Sequence, residues 1–331
     1  MTDISIIILA YNPDFHVFER CLVAIQRLKK ENITVEYLLI DNNSIPALKE
    51  NEIVRSFLSK NSEARVIIEK RQGCGYARIC GFQHSKAPII VSFDDDNEPE
   101  ENYLLSIVDY IKRNPQVGVF GPGRVEVKYI DGAKKYFNKY KQVFQELDLV
   151  KEQSGTSTSR YHEYYPYGTG MVIRKTIADK YSDEVENGRL TSIGRKEGSM
   201  ASCDDLQIVW FCLKEMGYAA GRTPLLKVNH LINAKKANFK YWKRLTYGGA
   251  FSWLPARFEV FPEEKLTVKN TGLEIRKSIL RICKVFVYNF YKPRFLIISV
   301  IGQVGILHSI YQINNKKPPK VLTMLKKILV N

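Results

Sequence analysis

The chain has 331 residues, 45% hydrophobic and 26% charged, room for one large α/β domain with an appendage or for two domains, and a composition that excludes a disordered chain. Lys and Arg outnumber Asp and Glu by 50 to 35, and a net charge of +15 calls for an anionic partner: nucleic acid, a membrane surface or a phosphorylated substrate. Residues 270–331 hold eleven Lys/Arg and one acid, Glu274, and residues 227–257 hold seven Lys/Arg and no acid, so the first two thirds is near neutral; no nucleic-acid groove is expected there.

Residues 1–12 carry no basic n-region and only a short apolar run, so no secretory signal is expected. The six cysteines are scattered without a Cys-x-x-Cys pair and are expected as reduced thiols in a cytoplasmic protein. Residues 5–10 form a continuous β-branched run, the pattern of a buried strand. Phe15, Phe18, Leu22, Ile25 and Leu28 at helical spacing predict a helix over 14–30. A strand over 35–40 ends at Asp41-Asn42-Asn43-Ser44, and a helix over 47–60 and a short strand over 65–68 follow. A helix is expected over 76–84, then a strand over 89–93 ending in Asp94-Asp95-Asp96, a helix over 101–113 and a strand over 117–120.

This alternation predicts an α/β fold: a Rossmann-like, mostly parallel sheet with helices on both faces. Ligands of such sheets collect beyond the carboxyl ends of the strands, where Asn12, Asp41 and Asp94 to Asp96 each fall. Further on, 124–165 reads as irregular, with 153–160 a mobile loop; 167–174 returns to strand character and 183–200 reads as a flexible loop. A helix over 204–216 is closed by Gly217, and a strand over 225–228 delivers His230. The tail from about 273 is basic and amphipathic, with Pro318-Pro319 before a last short helix. No run reaches the roughly 20 apolar residues of a membrane span; the nearest, 295–307, is interrupted by Gly302, Gln303 and Gly305.

Three adjacent carboxylates at a strand end raise one another's pKa unless a cation compensates, and hard oxygen ligands select Mg²⁺ or Mn²⁺. The bland alternative is a solvated acidic turn before a helix. Asp204-Asp205 is either a helix N-terminal carboxylate pair or the source of a general base. His230 is either a core histidine or a ligand of the same cation. Arg71 and Arg78 flank a glycine-rich stretch and are either phosphate ligands or surface cations.

The order of these segments resembles the family 2 glycosyltransferases, inverting enzymes of the GT-A fold, over roughly residues 3–250. The resemblance implies a nucleotide-diphosphate sugar donor, a divalent cation, Mn²⁺ or Mg²⁺, and a glycan or lipid-linked acceptor. It places Ala10, Tyr11 and Asn12 against the nucleotide, Asp41 against its base and Arg78 on the donor; Arg71 and Asp95 are expected on the donor from their place in the sequence alone. Asp94 and Asp96 match the family's DxD and with His230 make the implied metal ligand set, Asp96 the more direct ligand and Asp94 nearer the ribose. Gly168, Thr169 and Gly170 resemble the acceptor floor, and Asp205 matches the catalytic base, with Asp204 as the other candidate. Asp41-Asn42-Asn43-Ser44 departs from the commoner Asp-Asp-Gly-Ser, and Asp204 stands in place of Glu. The implied setting is bacterial surface polysaccharide or lipopolysaccharide synthesis.

Two rival readings are weaker. A sugar nucleotidyltransferase needs a glycine-rich phosphate loop after the first strand, and Ala10-Tyr11-Asn12-Pro13-Asp14 has no glycine. A non-catalytic scaffold would not need Asp94, Asp96 and Asp205 intact. The expected organisation is a glycosyltransferase domain over 1–250, donor half 1–120 and acceptor half 121–250, followed by a basic helical extension over 251–331. That extension, with Phe286, Phe290, Tyr291, Phe295, Leu296 and Ile297 beside Lys284, Lys292 and Arg294, reads as a peripheral contact at the inner face of the cell membrane. The alternative is a hairpin packed on the catalytic body or on a second subunit of a homodimer.

Overall fold

The computed structural model describes residues 2–330 apart from Arg160, Ile193, 196–199, 266–267 and Phe290. The order opens β1 (Ile4–Ala10), α1 (Phe15–Gln26), β2 (Val35–Asp41), α2 (Glu52–Lys60), β3 (Ala64–Ile68), α3 (Cys74–His84) and β4 (Ile89–Asp94). The helix expected over 47–60 begins as a 3₁₀ turn at Leu48–Glu50, because the Asn51 side chain accepts the Ile53 amide and starts α2 there. Then come β5 (Asn97–Pro99), α4 (Tyr103–Arg113), β6 (Val117–Tyr129), β7 (Leu147–Asp148), β8 (Gln153–Gly155), β9 (Met171–Arg174) and α5 (Lys175–Glu186). The chain closes with α6 (Asp204–Lys214), β10 (Ala219–Ile232), α7 (Phe239–Val260), α8 (Val268–Asn289), α9 (Pro293–Ile313) and α10 (Lys320–Leu329).

The sheet runs β3-β2-β1-β4-β9-β6-β10-β5, with β7 on β6 and β8 on β10. Its first four strands are parallel; β9 enters antiparallel between β4 and β6, and β10 pairs parallel with β6. Strands buried on both faces read as unbroken apolar runs, and in β1 all seven residues are buried. Ile7 and Leu9 face a core built with α3, α5 and α6; Ile6 and Ile8 face the other, built with α1, α2 and α4.

Several expectations are corrected. The sixth strand continues nine residues past Phe120 to Tyr129, so the boundary expected at 120 falls inside β6. The loop expected over 153–160 begins as β8, paired antiparallel with Ala220–Arg222 of β10. The loop expected over 183–200 starts within α5; its residues 193 and 196–199, like Arg160 and Phe290, lie outside the described residues.

The boundary expected at 250 falls inside α7, a continuous helix over 239–260. On this helix packs α9, which is 21 residues long and apolar enough to cross a membrane by length and composition, contrary to the sequence expectation. In α9, 44% of the apolar window is buried within the protein, and Gly305 is a close-approach point: a Cβ there would come within 2.9 Å of the Tyr247 carbonyl oxygen of α7. The extension thus shares a core with the body through Tyr247, Ile301, Val304 and Leu322.

Candidate functional site

Beyond the carboxyl ends of β1, β2 and β4 lies a cleft of about 830 Å³. Its wall includes Ala10, Tyr11 and Asn12 after β1, Asp94 to Asp96 after β4, and Arg78 from α3. Gly168, Thr169, Asp204, Asp205 and His230 close it from the second half of the chain. Asn12, at φ 44°, ties β1 to β2: its amide donates to Ser44 Oγ at 2.9 Å and its Oδ1 accepts the Ile45 amide at 2.8 Å.

Backbone pairing brings Asp96 to His230. β5 follows the acidic turn and pairs antiparallel with β10, setting Asn97 opposite His230, and the Leu231 amide donates to the Asp96 carbonyl at 2.8 Å. His230 Nε2 then stands 3.5 Å from Asp96 Oδ1. His230 Nδ1 donates to the Phe144 carbonyl at 2.8 Å, which in a neutral ring leaves the Nε2 lone pair facing the carboxylate. A carboxylate oxygen and an imidazole nitrogen facing each other as two acceptors is a donor set that fits Mn²⁺ or Mg²⁺.

The third member of the expected ligand set does not join them. Asp94 instead faces Arg78, with Nη2 at 4.0 Å from Oδ1, and among the described residues no group of three or more His, Cys, Asp or Glu side chains converges as a cation site. The charge beside Asp96 comes from Lys236, whose Nζ donates to Oδ2 at 2.5 Å. Burial opposes ionisation of Asp96, but the Lys236 ammonium beside it outweighs that and is the main charge holding the carboxyl well below its usual range. Burial and the neighbouring Asp96 push Asp95 up to about 7.

The Asp204-Asp205 pair is split by its partners. Cys203, at φ 82°, turns the chain into α6, whose first turn carries both carboxylates. Asp204 is ion-paired with the buried guanidinium of Arg78. Asp205 Oδ2 accepts the Gly168 amide at 2.9 Å and Oδ1 the Leu206 amide at 2.8 Å. Burial and then Asp204 raise the Asp205 pKa, with Arg78 and the two amides offsetting part of that rise. Thr169 is buried beside it and donates to Gln145 Oε1 at 2.6 Å.

Three expected site residues do other work. Asp41 is buried with both oxygens taken, one by the Ser44 amide and one by the Leu48 amide, and it shapes the turn after β2 rather than lining the cleft. Asn42 lines the cleft in its place. Arg71 is held by Glu69 and Glu186 and stacks on Tyr76, bracing the segment before α3 away from the cleft. Gly170, at φ 64°, lies behind the floor, where its carbonyl accepts the Tyr103 hydroxyl at 2.6 Å. Sequence reasoning missed Lys236, which sits among the basic residues of 227–257 and looks solvated there, and Phe144 and Gln145, which lie in a stretch read as irregular.

Comparison with known proteins matches residues 5–182 to the model of glycosyl transferase family 2. Glycosyltransferase AglE of Haloferax volcanii is 31% identical over 178 residues, 54% of this chain and 48% of that protein. Putative polypeptide N-acetylgalactosaminyltransferase 9 of Drosophila melanogaster is 27% identical over 135 residues, 38% of this chain and 20% of that protein. The chain thus covers less than half the length of both relatives. Among solved structures, that of GalNAc-T7 with UDP, GalNAc and Mn²⁺ superposes with a TM-score of 0.52 at 13% identity, over 99% of this chain and 56% of that one.

Proposed function

The chain belongs to glycosyl transferase family 2 and has the GT-A fold, and on that premise we propose that it moves a sugar from a nucleotide-diphosphate sugar to a hydroxyl of a glycan or lipid-linked acceptor, with inversion. The observation that carries this reading is the convergence of Asp205, from the second half of the chain, and the Asp96–His230 pair on one cleft. Asp205 is the base. Asp204 is committed to Arg78, whereas burial raises the pKa of Asp205 and suits it to accept a proton. The Gly168 and Leu206 amides fix its carboxylate.

In the reaction an acceptor oxygen attacks the anomeric carbon and gives its proton to Asp205. The bond from that carbon to the diphosphate oxygen breaks, and its electron pair leaves with the nucleoside diphosphate. A single displacement from the opposite face inverts the anomeric centre. Asp96 and His230 would hold a divalent cation, which when bound supplies charge neutralisation for the departing diphosphate. Arg78 holds Asp204 and faces Asp94, so it keeps the acidic wall of the donor side from repelling itself apart. The structural neighbour that holds UDP, GalNAc and Mn²⁺ supports a nucleotide and a divalent cation as ligands of this fold. The basic last third suits an acceptor presented at the inner face of a cell membrane, as in surface polysaccharide or lipopolysaccharide assembly.

Thermal unfolding with a panel of nucleoside diphosphates, with and without Mn²⁺, tests the donor site. A ligand that binds the native state alone raises the Tm. The expected outcome is a Mn²⁺-dependent rise with one nucleotide; no rise with any of them would favour a scaffold role and overturn the enzyme reading.

A further inference from the structure

We propose that α8 is a membrane-docking helix that lies on an anionic lipid bilayer with its outward apolar face in the headgroup region. On its inward side, Ile275, Ser278 and Ile282 turn toward the protein, and the helix packs on α9. On its outward side, Leu273, Leu280 and Val287 recur every seven residues, and Phe286 is exposed farther round the flank away from the cations. Leu280 and Val287 are each 66% exposed and Phe286 59%. Apolar side chains recurring this way on the face of a packed helix need a cover.

Charge identifies the cover. Lys277, Arg281 and Lys284 flank the stripe along one side and Arg276 sits within it, while Glu274 is the sole acid from residue 270 to the end of the chain. A protein partner complementary to such a face would need both an apolar groove and a dense acidic rim. A bilayer containing anionic lipid offers apolar chains under a layer of phosphates in the same arrangement. The last helix repeats the design: Val321, Met324 and Ile328 are exposed along one side of α10, with Lys320 and Lys327 on its flank.

Flotation of the full chain with vesicles of phosphatidylcholine, alone or mixed with phosphatidylglycerol, tests this without donor, acceptor or turnover, so its outcome is independent of the proposed reaction. The wild-type protein is expected to float with the mixed vesicles only, and less so as salt rises. A combined Arg276→Glu, Arg281→Glu and Lys284→Glu variant is expected to lose about 100-fold or more in partitioning. A Leu280→Asp, Val287→Asp variant is expected to lose binding while keeping its far-ultraviolet circular dichroism, because both side chains are exposed. Equal recovery with neutral and mixed vesicles, or undiminished binding by the apolar double variant, overturns the proposal. So does a dimer in sedimentation velocity that the double variant dissolves, since a second copy would then be the cover.

Discussion

Lys236 sets its ammonium 2.5 Å from Asp96, a carboxylate 140 residues away in sequence. A fixed positive charge there repels an incoming divalent cation while satisfying the carboxylate without one. Lys236→Met is therefore expected to tighten Mn²⁺ binding in the absence of nucleotide by well over tenfold, since even two unit charges about 4 Å apart interact by roughly 4 kcal/mol at an effective dielectric near 20. The free Mn²⁺ signal in electron paramagnetic resonance measures this, and unchanged or weaker binding would show that Lys236 does not compete for the site. Asp96→Ala is expected to abolish Mn²⁺-dependent nucleotide affinity, read by calorimetric titration of the nucleotide with and without Mn²⁺.

Asp205→Asn keeps the shape of the carboxylate and removes its basicity. Transfer is expected to fall by about 10²–10⁴, the usual contribution of a positioned base, with nucleotide affinity retained. Rapid-quench assay of transfer beside calorimetric nucleotide binding separates the two. Near-normal turnover would move the base to Asp204.

Burial and Asp204 raise the Asp205 pKa above that of a free carboxyl. Below its native-state pKa the group is protonated and cannot accept a proton, so turnover rises with pH through that value. The acid limb of the kcat profile is expected above the ordinary aspartate range near 4, and it should vanish from the residual activity of Asp205→Asn. A limb that persists in that variant belongs to another group.

Arg78 is buried between Asp204 and Asp94. Arg78→Met leaves those carboxylates without their cation, and breaking a buried pair from one side costs about 3–5 kcal/mol. Urea unfolding should show that loss at neutral pH. A variant within 1 kcal/mol of wild type, a loss smaller than this mechanism allows, would mean that water enters and solvates Asp204.

The strand–helix order of the first half was legible because parallel strands buried on both faces, such as Ile4–Ala10, leave near-continuous apolar runs. The acidic turn after β4 and the pair opening α6 were legible for the same reason: runs of carboxylates stand out at the ends of apolar segments. Asp41 and Arg71 were misplaced because residue type does not say where a side chain points. A carboxylate just past a strand can face the cleft or cap its own turn, and the backbone amides of Ser44 and Leu48 settle that for Asp41.

By itself the sequence determined the α/β class, the order of the strand-end carboxylates and the basic character of the last third, since periodicity and charge are local properties. Tertiary structure decided how the two adjacent carboxylates are partnered. Successive residues in a helical turn point about 100° apart, so Asp204 meets Arg78 from α3 while Asp205 meets the Gly168 amide. It also decided that Lys236, one cation among many in its segment, reaches Asp96, because only the β5–β10 pairing brings those two segments to one edge of the sheet.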